Sequence, residues 1–215
     1  MTDRTFNVLL LGDSGVGKTS FINSLSHVIS KEKVHVSYEE GEMKITENCL
    51  TTDTGNKHTI VTHILAGHCF DTYCSERVCH DIDGIIIMFS SDVKESFANI
   101  NLWLELAREN HSYDVPIVLV QNKSDLDETN EYKAMIEIVM SLIGTNFEYI
   151  SVKDRFKVNL PQLTLMRLVL KNPELKYVTP RPVVSLCREL QIHSRIKSLL
   201  EELGILTDEL AKIHE

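Results

Sequence analysis

The sequence predicts an α/β layer fold with a mainly parallel sheet, and three observations support this prediction. A glycine-rich loop at residues 12–19 lies between an apolar run of strand length and a segment whose apolar residues recur at helical spacing. Residues 85–89 and 116–120 are almost wholly apolar, as in parallel strands that are buried on both faces. Strands alternate with helices along the chain, which is the order of elements in α/β domains.

The individual elements follow from local patterns. Two loosely alternating segments flank the turn-forming cluster Asp53–Asn56, which predicts a hairpin at the antiparallel edge of the sheet. Apolar residues at helical spacing predict helices, and the stretches 31–42 and 66–82 lack a sustained period and predict loops. The result is a six-stranded sheet with helices on both faces: strands at 5–11, 43–50, 58–65, 85–89, 116–120 and 147–150, and helices after residue 17 and at 95–107, 131–143 and 160–170.

The chain is predicted to divide near residue 178. Three prolines at positions 173, 180 and 182 interrupt the pattern, and residues 184–203 then resume the apolar spacing of a long amphipathic helix. We therefore expect one well-cored domain at 1–178 and a C-terminal helical extension at 179–215.

The composition excludes several classes of protein. A formal net charge of −9 and a pI near 5.5, without a run of Lys and Arg, argue against a nucleic-acid binder. Five cysteines and no secretory signal suggest reduced thiols inside the cell. No apolar run approaches the roughly 18 residues of a membrane span, and the last residues hold no prenylation cysteine, so we expect no membrane anchor.

Residues 12–19, GDSGVGKT, fit the phosphate-binding pattern G-x-x-x-x-G-K-[ST], and we call them the phosphate loop. Gly12 and Gly17 let the backbone approach a phosphate closely, so that consecutive N–H groups form an anion nest. Lys18 adds a positive charge, and the following helix directs its N-terminus at the same phosphates. The Thr19 hydroxyl is a candidate Mg²⁺ ligand.

A second motif, Asn122-Lys123-Ser124-Asp125, follows a buried strand. A carboxylate at Asp125 can accept two hydrogen bonds from N1–H and the exocyclic amine of guanine, a donor pair that adenine lacks on that edge. Asn122 would brace the loop, and the aliphatic stem of Lys123 would lie over the base. The alternative is an ordinary helix cap, since Asn, Ser and Asp are common capping residues. The phosphate loop upstream favours guanine.

The two motifs, together with ISVK at 150–153, stand in the order and approximate spacing of the Ras superfamily of small GTPases, which the chain resembles over roughly residues 5–180. Its segments at 85–89, 115–126, 150–162 and 168–178 are most similar to the Ran branch. The resemblance implies a nucleotide-dependent switch in nucleocytoplasmic transport, with GTP or GDP and Mg²⁺ as cofactors. It also implies effectors and exchange and activating factors as partners, a monomeric state, and a location in nucleus and cytoplasm.

The resemblance implies a role for each residue of this chain that matches one of the family's motifs. The phosphate loop would hold the phosphates, Thr19 would bind the metal, and the residues after the last strand would touch the base through their backbone and Lys153. The implied nucleotide-binding residues are Asp13, Ser14, Gly15, Val16, Gly17, Lys18, Thr19, Ser20, Gly67, Asn122, Lys123, Asp125, Ser151, Val152 and Lys153.

The switch positions depart from the family. Its D-x-x-G motif, whose Asp supports Mg²⁺, becomes Ile64-Leu65-Ala66-Gly67, and His68 replaces the Gln that orients the attacking water. The switch threonine falls on Gly41 by an ungapped count, with Thr46 as the nearest substitute. These changes predict weak metal support and slow hydrolysis, with His68 as the candidate catalytic residue. The alternative is a pseudo-GTPase that acts by protein contacts; an adenine-specific ATPase or kinase has little support.

Two further patterns have ordinary explanations. The histidines and cysteines at 63–80 could suggest zinc, but the cysteines recur every five residues instead of in C-x-x-C pairs, so solvated loop residues are favoured. Trp103 lies on the apolar stripe of a helix and is interpreted as a packing aromatic.

Overall fold

The computed structural model describes residues 3–28, 35–38, 43–67, 81–112, 114–126, 136 and 145–178. These belong to the first of two units into which the chain divides, Met1–Thr179. The proposed extension at 179–215, the loop at 68–80 and nearly all of the helix at 131–143 lie outside the described residues. Within them, no helix is both long and apolar enough to cross a membrane.

The strands form one mixed sheet. They are β1 Arg4–Leu11, β2 His35–Tyr38, β3 Met43–Thr51, β4 Lys57–Leu65, β5 Gly84–Ser90, β6 Ile117–Asn122 and β7 Asn146–Tyr149. Their order across the sheet is β2-β3-β4-β1-β5-β6-β7. The strands β4, β1, β5, β6 and β7 are mutually parallel, and the antiparallel pairing of β2 with β3 and of β3 with β4 forms one edge.

The predicted α/β fold is therefore confirmed, with one strand more than expected. The additional strand is β2, which lies in the stretch predicted to be a loop and pairs with β3 at the edge of the sheet. Four residues of mixed polarity carry no periodic signal, because an edge strand is held by backbone hydrogen bonds and needs no buried face.

Helices cover both faces of the sheet, as predicted. They are α1 Lys18–Val28, α2 Lys94–Ala98, α3 Ile100–Asn110 and α4 Leu160–Val169. One core joins alternate residues of β1 and β5 to Phe21 and Leu25 of α1 and to Leu165 of α4. The other core joins the remaining faces of these strands to Trp103 and Leu106 of α3.

The helix predicted at 95–107 is in fact two helices that meet at Asn99. Asn99 caps α2 through its backbone N–H and precedes α3, in a helical backbone conformation with φ −79° and ψ −3°. The apolar spacing continues across the junction, so sequence periodicity could not reveal the break.

The ends of β1, β5, β6 and β7 position the functional site. Parallel strands direct their carboxyl ends to one rim, where ligands bind in open α/β sheets. The phosphate loop follows β1 at this rim, and the Asn122–Asp125 motif begins at the last residue of β6. Residues 151–153 follow β7. The fold thus brings three separated segments of sequence to one edge.

Candidate guanine nucleotide site

The glycines of the phosphate loop occupy positions that other residues would disturb. Gly12, Gly15 and Gly17 have φ values of 133°, 79° and 100°, which side-chain-bearing residues rarely adopt. A Cβ at Gly12 would also overlap the carbonyl oxygen of Met88 on β5. At Gly15 a Cβ would meet nothing within 4 Å, so this side of the loop is open. The loop has the cradle shape that a phosphate requires.

Lys18 lies folded back along this loop at the first residue of α1. Its Nζ donates to the carbonyl oxygens of Gly12, at 2.6 Å, and Asp13, at 2.8 Å, and the residue is 8% exposed. A buried ammonium needs such acceptors, because desolvating an unpaired charge is costly. The positive charge and the N-terminus of α1 therefore face the same cradle.

The Asp13 side chain is bound by Asn99, where α2 and α3 meet, and by Trp103 of α3. Trp103 donates its indole N–H to Asp13 Oδ1 at 2.7 Å, and the Asn99 amide donates to Asp13 Oδ2 at 2.8 Å. Trp103 is 1% exposed, so its packing role is confirmed, and its N–H has the partner that a buried indole usually finds. These bonds anchor the start of the phosphate loop, which leaves only backbone groups of Asp13 for a phosphate.

Asn122 joins the phosphate loop to the segment after β7. Its side chain is buried; Nδ2 donates to the carbonyl oxygen of Val16 at 2.9 Å, and Oδ1 accepts from the N–H of Val152 at 3.2 Å. A Cβ at Gly17 would overlap this amide, which explains the second glycine of the motif. The predicted bracing by Asn122 is present in this geometry.

Asp125 presents a carboxylate that is held ionised. The Ser151 hydroxyl donates to Oδ1 at 2.7 Å and, against the effect of burial, keeps the pKa of the Asp125 carboxyl below its ordinary value. Lys153, which is 76% exposed at its side chain, reaches Oδ2 at 3.5 Å and lowers the same pKa further. An ionised carboxylate is the acceptor pair that the N1–H and amine of guanine require.

Gly67 lies directly against the phosphate loop. A Cβ at this position would overlap the backbone of Asp13 and Ser14, so only glycine permits the approach. Ser14, Thr19 and Ser20, which belong to the predicted nucleotide-binding set, are exposed. The end of β4 therefore reaches the cradle where the family's motif would place it.

Within the described residues, the carboxylate that the resemblance would supply to Mg²⁺ is missing, and the substitute threonine lies away from the site. Ile64 is 4% exposed and packs in the apolar core, where the family has a carboxylate, and Thr46 lies in the middle of β3, paired with Thr62, instead of at the rim. Thr46 is therefore wrong as a substitute switch residue. Among the described residues no cluster of three or more His, Cys, Asp and Glu could hold a metal. The described residues fit a nucleotide, and among them Thr19 is the one that the sequence assigns to Mg²⁺.

Some predicted residues lie outside the part of the chain that the structure describes: His68, Gly41 and the cysteines at 69, 74 and 79. The structure also brings to the site two groups that the sequence did not predict, Asn99 with Trp103 and the Ser90–Asp92 segment after β5. For the first group the sequence shows an Asp inside the phosphate motif and a Trp on an apolar helix stripe, but neither residue indicates that the other is its hydrogen-bond partner.

The Asn99 contact can be tested by adding a charge. We expect Asn99→Asp to lower the free energy of unfolding by about 1–3 kcal/mol, because it removes a donor and places a second carboxylate beside that of Asp13. Asn101→Asp, on the exposed side of α3, is the matched control and should change it by less than about 0.5 kcal/mol. Urea unfolding measures both, and equal effects would exclude the anchoring role.

Comparisons with known proteins identify the family. The family model described as Ras family matches residues 7–171. Ras-related protein Rab-44 of Homo sapiens is 30% identical over 141 residues, which is 60% of this chain and 12% of that protein. GTP-binding nuclear protein GSP1 of Encephalitozoon cuniculi is 27% identical over 185 residues, 81% of each chain. Ras-related protein Rab-37 of Mus musculus is 28% identical over 186 residues, 81% of this chain and 75% of that protein.

The family match spans the phosphate loop, the Asn122–Asp125 motif and the segment after β7, whose convergence the fold explains. The match begins at Asn7 within β1 and ends at Lys171, two residues beyond α4, so it includes most of β1 and the other strands. This chain belongs to the Ras family of small GTPases, which bind GTP and GDP and act as switches.

Proposed function

We propose that this chain binds GDP and GTP at the Gly12–Thr19 and Asn122–Asp125 loops and acts as a Ran-like switch with weak or slow GTP hydrolysis. The observation that carries the proposal is the Asn122 amide, which bonds to Val16 in the phosphate loop and to Val152 after β7. Through these bonds the anion cradle and the Asp125 carboxylate belong to one connected group of loops. The roles of the individual residues are part of the proposal.

Different residues of the site would contact different parts of the nucleotide. The backbone N–H groups of residues 13–19 and the Lys18 ammonium would hold the phosphates, and Asp125 would select guanine. The 151–153 segment would close over the base edge, with the exposed Lys153 beside it. When bound, the nucleotide supplies the γ-phosphate whose presence or loss distinguishes the two states of the switch.

The Ran-like part of the proposal rests on sequence similarity. GSP1, named a GTP-binding nuclear protein, aligns with 81% of this chain, and the Ran-like segments extend to residue 178. We therefore propose a role in nucleocytoplasmic transport, with movement between nucleus and cytoplasm and with effectors and exchange factors as partners. Relatives named Rab align at similar identity. Percentage identity therefore does not separate the Ran branch from the Rab branch, and the proposal of the Ran branch depends on the Ran-like segments.

Ile64 favours a second candidate function. Its buried apolar side chain stands where the family's metal-supporting carboxylate would be. A chain of this kind could hold nucleotide as a structural element and act through protein contacts without turnover. This pseudo-GTPase shares the binding site with the first proposal and differs from it only in hydrolysis.

Equilibrium binding of fluorescent GDP and GTP to the full chain tests the proposal. We expect saturable binding that unlabelled GDP or GTP displaces and ATP does not, because adenine lacks the donor pair for Asp125. Lys18→Met serves as the binding-deficient control. Absence of binding, both in Mg²⁺ and in EDTA, would reject nucleotide binding altogether.

A further inference from the structure

The segment Ser90–Asp92 lies beside the base loop, residues 121–126, at the carboxyl end of β5. The Asp92 carboxylate forms an ion pair with Lys123, with Oδ2 and Nζ 2.7 Å apart. Its other oxygen, Oδ1, accepts a hydrogen bond from the Ser90 hydroxyl at 2.7 Å. Both oxygens are therefore engaged, so the carboxylate has a fixed orientation toward Lys123.

Lys123 is held from a second side as well. Its Nζ also donates to the carbonyl oxygen of Gly15, in the open part of the phosphate loop, at 3.0 Å. Its backbone has φ 58°, an uncommon value for a residue other than glycine. The ammonium thus connects the loops that follow β1, β5 and β6.

Ser91 links the same segment to the backbone of the base loop. Its N–H and its hydroxyl both donate to the carbonyl oxygen of Asn122, at 3.1 and 3.2 Å, and the hydroxyl accepts from the Gln121 amide at 2.8 Å. Asn122 is the residue that bridges the phosphate loop and the 151–153 segment. Displacement of the 90–92 segment would therefore disturb both Asn122 and Lys123, on which the proposed base recognition depends.

An ordinary ion pair at the protein surface has little effect on stability or on the position of its side chains. Exposed pairs contribute little to stability, and the side chains of Lys123 and Asp92 are 29% and 36% exposed. This pair differs because each partner is fixed by a second contact, so its effect is on the position of Lys123 and not on the fold. Partial burial opposes ionisation of Asp92, but hydrogen bonds from Lys123 and Ser90 outweigh it and lower the pKa of its carboxyl.

We propose that Asp92 is a positioning residue of the nucleotide site, which holds the Lys123 ammonium so that its aliphatic stem lies over the base. Asp92 does not contact the nucleotide itself. It acts through Lys123, and it couples the base loop to the phosphate loop through Gly15. The inference rests on the proposed function in so far as the ligand is a guanine nucleotide.

Release of fluorescent GDP tests this role. We expect Asp92→Asn to release GDP about 3–10-fold faster than the unaltered chain, whereas the exposed Asp114→Asn should stay within about twofold. In a Lys123→Met background, Asp92→Asn should add less than about twofold, since the group that it positions is gone. Unchanged release in Asp92→Asn, or equal acceleration in both backgrounds, would overturn the inference.

Amide hydrogen exchange of nucleotide-free protein provides a readout that does not depend on the ligand. We expect faster exchange over residues 121–126 in Asp92→Asn and no change in Asp114→Asn, because only the first frees the base loop. If the unaltered chain binds no GDP, the proposed function fails and exchange alone decides this inference. Unchanged exchange in Asp92→Asn would then reject the positioning role.

Discussion

Asp125→Asn is expected to weaken binding of GDP by at least about 100-fold and to admit xanthosine diphosphate. The carboxylate accepts from two donors of guanine, and hydrogen bonds to a charged group contribute roughly 1.5–3 kcal/mol each. Asparagine keeps an acceptor oxygen for N1–H, but its NH₂ group opposes the exocyclic amine of guanine and complements the carbonyl that xanthine has at the same position. Competition by GDP, xanthosine diphosphate and ADP against a fluorescent nucleotide measures the change.

A change of preference from guanine to xanthine would show that the substitution alters recognition of the base and does not merely damage the fold. The Ser151 hydroxyl can still donate to the side-chain amide oxygen that the substitution leaves at position 125, so the loop keeps its main contact. Asp114→Asn, at an exposed position, is the matched control and should bind GDP normally. Should Asp125→Asn retain full guanine affinity, or lose all nucleotides equally, the assignment of Asp125 to the base would be wrong.

Much of the fold could be predicted because its strongest signals are local. The apolar runs in β5 and β6 and the turn between β3 and β4 can be read directly in the sequence. The short edge strand β2 and the break at Asn99 could not be predicted, since both depend on backbone pairing and geometry that side-chain periodicity does not report.

The candidate site, like the fold, could be predicted only in part. Its motifs could be found because glycines at fixed spacing, Lys18 and Asp125 are demanded by the chemistry of the ligand. The supporting contacts could not, because Trp103 lies 90 positions from its acceptor Asp13, and Lys123 lies 31 positions from Asp92. Such pairs arise only when the sheet brings strand ends together.

Single-turnover hydrolysis is the measurement on which the enzymatic part of the proposal depends. We expect phosphate release from bound GTP with a rate constant below about 10⁻⁴ per second, under the roughly 3–5 × 10⁻⁴ per second of an intact small GTPase such as Ras. Ile64 is buried among apolar side chains and supplies no charge, and His68 stands in place of the water-orienting glutamine. Release at about 3 × 10⁻⁴ per second or faster, as in an intact small GTPase, would contradict the expected loss of catalytic support.

A substitution at His68 distinguishes slow turnover from none, and removal of Mg²⁺ by EDTA tests the support of the metal. His68→Ala should reduce a measurable rate if the imidazole orients the attacking water, and it should leave a rate at the buffer level unchanged, as the pseudo-GTPase requires. EDTA should accelerate GDP release by less than about threefold, because Thr19 is the one described residue to which the sequence assigns Mg²⁺ and no cluster of three or more His, Cys, Asp and Glu among the described residues could hold the metal. Acceleration by more than about tenfold would show that other groups support the metal. The buried Ile64 would then no longer count as a loss of metal support, and the expected slow hydrolysis would depend on His68 alone.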